Sequence, residues 1–493
     1  MTQRILAGIE TEYGLLVEGR GAEDQIDDSQ EVVRSYPDHC FVGWDYLFES
    51  PRADLRGFTQ KNLSFDPEDA KFDVGRKHGG DMEIRADRVL PNGARLYNDH
   101  GHPEYATPEC WSLAELAMHD KAGEIAILRA ARAYQEKSGR KTTIYKNNTD
   151  FHGASYGTHE NYCVPRSLAY EKLFKAVTPI LIARQILCGA GKVGSENGPA
   201  VEFQLSQRAD FFTEAASVDT LYRRPVFNTR DEPHAEPREW IRLHVIAGDA
   251  NMMAACTFRK VGLVKIALAL AARDETPEWH LSDAVSAFRA VSRDASREYR
   301  IPLGGSNWTT AYEILDSYLC AYDSVMSEEE SDPELRKVVR DCQALMEALR
   351  AGADVSKHID WAAKLSMLQQ YVEAEGAKWS DPSLRSFDLE YHNVDPEEGL
   401  FHALVESGAV DQPPSHEEME SRLAGVFEPT RALARGLAVS KFSDRLLGAC
   451  WASLTFRGGQ EPIELYLSPE KEFPPQLQAA VSVESFIEAI RGA

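Results

Sequence analysis

The hydrophobic period of this chain changes once, near residue 255, and that change constrains its fold more than any other feature. Before it, short segments alternate apolar and polar residues as half-buried strands do, at 4–13, 94–99, 142–145, 200–208, 226–229 and 241–246. Beyond it, apolar residues recur at helical spacing through 261–272, 282–292, 309–326, 333–350 and 357–374. Strands early and helices late predict an α+β fold: an antiparallel sheet packed with helices. Ser112 with Glu115 three residues on has the form of a capping box, and Asp332-Pro333 is an N-cap and first-turn pair. The stretch from about 20 to 90 is rich in Asp, Gly, Arg and Pro and reads as mostly long loop. A polar, proline-containing run, DQPPSHEEMES, then suggests a link to a small C-terminal unit with a helix near 417–437 and a strand at 450–456. The expected division is 1–411 and 412–493.

Composition narrows the function classes. The 493 residues include 54 Lys and Arg against 78 Asp and Glu, a net charge of −24, so a nucleic-acid partner is not expected. A membrane is not expected either. The most apolar stretches, PILIARQILC and VGLVKIALALAA, are too short to span a bilayer and carry Arg184 and Lys265. The opening residues lack the charged and apolar regions of a secretory signal. Eight scattered cysteines with no C-x-x-C pair suit reduced thiols, and a cytoplasmic location is expected.

Several polar groups carry chemistry. On a strand, Glu10 and Glu12 share one face while Ile9, Thr11 and Tyr13 take the other. Alone, the pair reads as an exposed strand face; buried, it would need a cation between its carboxylates. In the stretch 92–105, Arg95, Tyr97 and Asp99 fall on one face, followed by His100, His102 and Glu104. A guanidinium, a phenol, carboxylates and imidazoles packed this densely favour a metal or phosphate site over a hydrated turn. His159 and Asn161 share a face in YGTHENY, and Glu202, Gln204, Ser206 and Arg208 form a polar row. Arg230 follows Asn228, and Arg242 and His244 share a strand face; arginines so placed suit carboxylate or phosphate. There is no G-x-x-x-x-G-K-[ST] loop, so any nucleotide would be bound on the sheet with metal ions.

The segments GIETEYG (8–14), NGARLY (92–97), HPEYAT (102–107), YGTHENY (156–162), LSQR (205–208), NTRDEPH (228–234), RLHV (242–245), IDWAAK (359–364) and TRA (430–432) together resemble one family. It is the family of enzymes that attach or remove the prokaryotic ubiquitin-like protein Pup. The resemblance implies a glutamine-synthetase-like catalytic domain, a small C-terminal domain, ATP (or ADP and phosphate) and Mg2+ as cofactors, and Pup and pupylated proteins as partners. By the same resemblance Glu10, Tyr97 and Glu104 would hold magnesium, with Glu12 and His159 beside them. Arg95 and Thr107 would contact the nucleotide, Arg242 and His244 its phosphates, and Trp451 its base. Asp99 matches the catalytic aspartate, and Arg208 and Arg230 are candidates for the substrate carboxylate. Two branches exist, ligase and depupylase. WDY (44–46), ESP (49–51), RGF (56–58), an insertion at about 58–90 and the Asp99–His102 spacing resemble the depupylase; IETE and YAT resemble the ligase. The insertion and spacing favour the depupylase and Pup deamidase, with the ligase as the alternative.

Overall fold

The computed structural model describes residues 4–46, 49–61, 85–220, 223–327, 331–474 and 476–492. Its centre is a six-stranded sheet built from β1 (Leu6–Glu12), β2 (Arg88–Val89), β3 (Arg95–Asp99), β4 (His102–Ala106), β5 (Thr158–Pro165) and β6 (Trp240–Val245). The order is β6-β5-β1-β4-β3-β2, and every neighbouring pair is antiparallel. Directly opposed residues of such a sheet lie on the same face. Glu10 stands opposite both Ala106 and His159, Glu12 opposite Glu104, Arg95 opposite Ala106, Tyr97 opposite Glu104, and Asp99 opposite His102. Asn161 faces Gly8 on one side and His244 on the other, and Arg242 faces Cys163. The register therefore gathers the polar side chains of five strands onto one face.

The other face supplies the core. Ile9, Tyr162, Val164, Leu243 and Val245 join Leu113 and Leu116 and the apolar side chains of the helices beyond residue 250 in the largest cluster. Leu96 and Tyr105 join Ala122, Ala126 and Ile127 in a second one. Each such side chain taken from water contributes about 1.5–3 kcal/mol, so the alternation on these strands fixes which face points at the helices. Two helices carry most of that cover: α2 (Leu113–Ser138) and α3 (Ala254–Ala271). Ser112 caps α2 by accepting from the Glu115 backbone N–H, but the Glu115 side chain turns to Arg422, so the expected box is only half made. Gly139, left-handed at φ 69°, ends the helix. Asp332 caps the helix Pro333–Arg350 as expected.

Three expectations about local structure need correcting. The region 20–90 is not all loop: α1 (Gln25–Arg34) buries Val32 and Val33 against α2. Its sequence, QIDDSQEVVR, offers too few apolar residues to show a period. Residues 62–84 of the expected insertion lie outside those described. Within 200–208 only Phe203–Gln204 pairs as strand, because the Ser206 and Gln207 backbone N–H groups are taken by the side chains of Ser292 and Asp249. The helix expected near 417–437 is two helices, α4 (His416–Ala424) and α5 (Arg431–Phe442), separated by a segment containing Gly425 and Pro429. Met419 and Leu423 of α4 pack with the α2 core. The core around α5 instead takes in the three-stranded sheet Leu446–Ala449, Ser453–Phe456 and Ile463–Tyr466, together with Phe41, Trp44, Val89, Tyr97 and Ala106.

Candidate active site

Four carboxylates, Glu10, Glu12, Asp99 and Glu104, converge on the polar face with little cationic cover. Glu10 lies 3.6 Å from His159 Nδ1, 3.7 Å from His244 Nε2 and 3.5 Å from Arg242. Burial would raise its pKa, but the adjoining His159 and His244 imidazoles and the Arg242 charge hold it well below the usual range. Glu104 goes the other way. Burial first, then the charges of Asp99, Glu10 and Glu12, push its pKa well above the carboxylate range, and the Tyr97 hydroxyl donates to it. Burial also opposes ionisation of Asp99, yet His100 and Arg85 outweigh it and keep the carboxylate charged.

These groups fall into two sets, each with one donor atom per residue and all donor atoms within 4.8 Å of one another. One is Glu10, His159 and His244; the other is Glu12, Asp99 and Glu104. The second set is all oxygen, the chemistry that suits Mg2+. In the first set, the buried Nε2 of His244 makes no hydrogen bond and lies near Glu10, as a ligand atom would. The residues present therefore fit divalent cations. His159 reaches this position because residue 157 is glycine: a Cβ there would lie 2.1 Å from His159 Nε2.

Beside the carboxylates, a cavity is lined by Gly8, Glu10, Thr107, Arg242, Arg431 and Trp451 among others. Thr107 Oγ1 accepts from the Ile9 backbone N–H at the rim. Trp451, brought in from the C-terminal sheet, meets Trp44 edge-on at 4.9 Å and carries Arg435 over its ring. The cavity combines apolar side chains such as Leu6, Ile9 and Trp451 with the guanidinium groups of Arg242 and Arg431.

The structure brings together Glu10, Glu12, Tyr97, Asp99, Glu104, His159, Arg242 and His244, and sets Thr107 and Trp451 at the adjoining cavity. His244, expected at phosphates, also stands beside Glu10. Arg95 is placed differently from the expectation of nucleotide contact: it binds Asp87 at 2.6 Å, stacks on Tyr97 and Trp44, and does not line the cavity. Arg208 is fully buried behind the site, donating to the Tyr156 carbonyl, and among the described residues no carboxylate lies within ion-pair distance of it. Burial, then Arg224, disfavours its charge. Arg230 is held at Asn228 and Thr220, and Asn228 in turn contacts His244 at 3.3 Å. Sequence reasoning missed Arg85, 3.4 Å from Asp99, and the Glu109–Arg431–Arg435 cluster below the cavity. Arg85 sits between segments with no period, so nothing local marked it.

A family model described as Pup-ligase protein matches residues 4–455. Over 462 residues, 91% of this chain and 90% of the relative, the sequence is 37% identical to a protein named Depupylase from Acidothermus cellulolyticus. Over 356 residues, 70% of this chain and 79% of the relative, it is 38% identical to Pup–protein ligase 2 of Rhodococcus erythropolis. Among solved structures, the ligase PafA in complex with Prokaryotic Ubiquitin-like Protein Pup matches with a TM-score of 0.79 and 27% identity, over 99% of this chain and 92% of that one. PafA in complex with ADP matches with a TM-score of 0.73 and 29% identity, over 88% and 96%. With a family model spanning most of its length and a polar sheet face that carries the family's motifs, the chain belongs to the Pup-ligase family.

Proposed function

We propose that this protein is an ATP- and Mg2+-dependent depupylase and Pup deamidase. It hydrolyses the isopeptide bond between the C-terminal glutamate of Pup and a substrate lysine, or removes the amide from a C-terminal glutamine of Pup. The observation that carries the choice of branch is the length of the sequence alignment: that to the relative named Depupylase covers 91% of this chain, that to the ligase relative 70%, whereas the fold is shared along the chain by both branches.

The site residues take the following parts. Tyr97, Glu104, Glu12, Glu10 and His159 surround the cations. Arg242 and His244 face the phosphates, Thr107 and Trp451 hold the rest of the nucleotide, and Arg95 supports Tyr97 and Trp44 from behind. Bound Mg2+, together with the guanidinium groups of the site, would neutralise the negative charge that develops at the reacting carbonyl oxygen. Asp99, ionised and gripped on both sides, is the catalytic carboxylate, acting either as the base that takes a proton from water or as the nucleophile. As base, Asp99 takes a proton from water while the water oxygen bonds to the carbonyl carbon, and returns that proton to the departing amine. As nucleophile, its oxygen displaces the amine, which takes its proton from water, and a water then hydrolyses the resulting anhydride to free both carboxylates. Arg208, which among the described residues has no acid within ion-pair distance, is suited to a substrate carboxylate, with Arg230 at the outer end of the same region. The unit 1–411 supplies the sheet, and 412–493 delivers Trp451 and Arg431. All eight cysteines are free, which supports a cytoplasmic enzyme; among the described residues no helix is long and apolar enough to cross a membrane.

The test is to incubate the protein with a lysine-linked Pup conjugate, ATP and Mg2+. Release of free Pup and of the unmodified target is expected. No release, together with conjugate formation from free Pup, would assign the protein to the ligase branch instead.

A further inference from the structure

The turn between β3 and β4 holds an expensive residue. His100 has φ 47° and Gly101 φ 87°, so two consecutive residues lie in the left-handed region. Turns of this kind favour Asn or Gly, and a side chain such as histidine costs about 1–2 kcal/mol there. Strain of this sort persists only where the surroundings impose it, and it concentrates at functional sites. Here the left-handed backbone brings the imidazole back over the preceding residue: His100 Nδ1 lies 2.8 Å from Asp99 Oδ2. The opposite oxygen, Oδ1, is 3.4 Å from Arg85. Asp99, His100, Gly101 and Arg85 line a narrow cavity of their own, closed by Asn98 and Ile26.

We propose that His100 is a positioning residue for hydrolysis: its Nδ1–H fixes one oxygen of Asp99 while Arg85 fixes the other, so the carboxylate keeps one orientation toward the scissile bond. The proposal rests on the reading of Asp99 as the catalytic carboxylate. The need for such a clamp is physical. Glu12 and Glu104 put further carboxylate oxygens within 4.8 Å of Asp99, and their charge would turn it away unless a donor held it. A short hydrogen bond to a carboxylate is the stronger kind, and misplacement of a reacting group by about 1 Å can cost up to about a hundredfold in rate.

Two substitutions separate positioning from folding and from proton transfer. His100→Gly removes the donor but relieves the left-handed strain, so the melting temperature should hold or rise while kcat falls by roughly tenfold or more at unchanged KM. In His100→Asn the amide nitrogen occupies the place of Nδ1, tolerates the left-handed backbone and does not titrate; it should recover most of the lost kcat with the same pH profile as wild type. The proposal is overturned if H100G turns over like wild type, if its loss follows a drop in melting temperature, or if H100N is as slow as H100G. Wild-type turnover of the conjugate in the same assay checks the depupylase reading separately, and its absence overturns both.

Discussion

Replacing Glu109 should unfasten the C-terminal unit from the sheet. Its carboxylate accepts from Arg431 Nε at 2.5 Å and from Arg435, and both guanidiniums are buried with it. Arg431 also donates to the His234 carbonyl and Arg435 to the Gly93 carbonyl, so a single acid ties α5 to two loops beside the cavity. At an effective dielectric of about 20, one ion pair near 4 Å is worth about 4 kcal/mol. Two such pairs, less the desolvation of the shared carboxylate, agree with the roughly 3–5 kcal/mol lost when one partner of a buried pair is removed. Glu109→Ala should therefore lose about 3–5 kcal/mol in urea unfolding followed by tryptophan fluorescence, and nucleotide affinity should fall with it because Arg431 and Trp451 line the cavity. The pH dependence has a definite sign. Burial would raise the Glu109 pKa, but Arg435 and Arg431 lower it below the ordinary value of 4.5. Its contribution is thus complete above about pH 4.5 and is lost as pH falls through the depressed value, and Glu109→Gln should lose that acid-labile part. A loss under about 1 kcal/mol, the scale of an exposed pair, would refute this reasoning.

Three further outcomes can be measured. Gly157→Ala would set a methyl 2.1 Å from His159 Nε2 and should weaken Mg2+ binding by about tenfold or more in titration calorimetry; unchanged affinity would remove His159 from the metal site. Mg2+ at about a hundred times its dissociation constant should stabilise the protein by about 2.7 kcal/mol, a gain that a chelator reverses and Glu12→Gln abolishes, read as a shift in melting temperature. Arg208→Met should raise KM for the Pup substrate by about tenfold to a hundredfold with little loss of stability, because the Tyr156 carbonyl it serves also accepts from Asn148 and methionine can keep the packing on Phe212; an unchanged KM would exclude it from the substrate site.

Strand alternation and helical period revealed the architecture wherever segments were long and strongly apolar. The strands through Glu10, Tyr97 and His244 were legible because the opposite side chains, Ile9, Leu96 and Leu243, enter the cores. The helix Gln25–Arg34 was not, because its stability comes from Val32 and Val33 docking on α2 rather than from its own pattern. The candidate site was legible as residues on a shared face, since period two fixes the face of each strand. What could not be read was register: only pairing decides that Glu12 faces Glu104 and that His244 comes near Glu10. Arg85 was hidden because it lies outside any periodic segment, and Glu109 because its partners, Arg431 and Arg435, are far away in sequence. The pairing of Arg95 was hidden because Asp87, which holds it, sits in a region read as loop.

The central claim is that the carboxylate of Asp99 performs the hydrolysis on a face that binds nucleotide without it. Single-turnover release of Pup from a lysine-linked conjugate by Asp99→Asn, measured beside nucleotide affinity, tests this directly. Release should vanish while the nucleotide still binds with wild-type affinity; release at the wild-type rate would contradict the account.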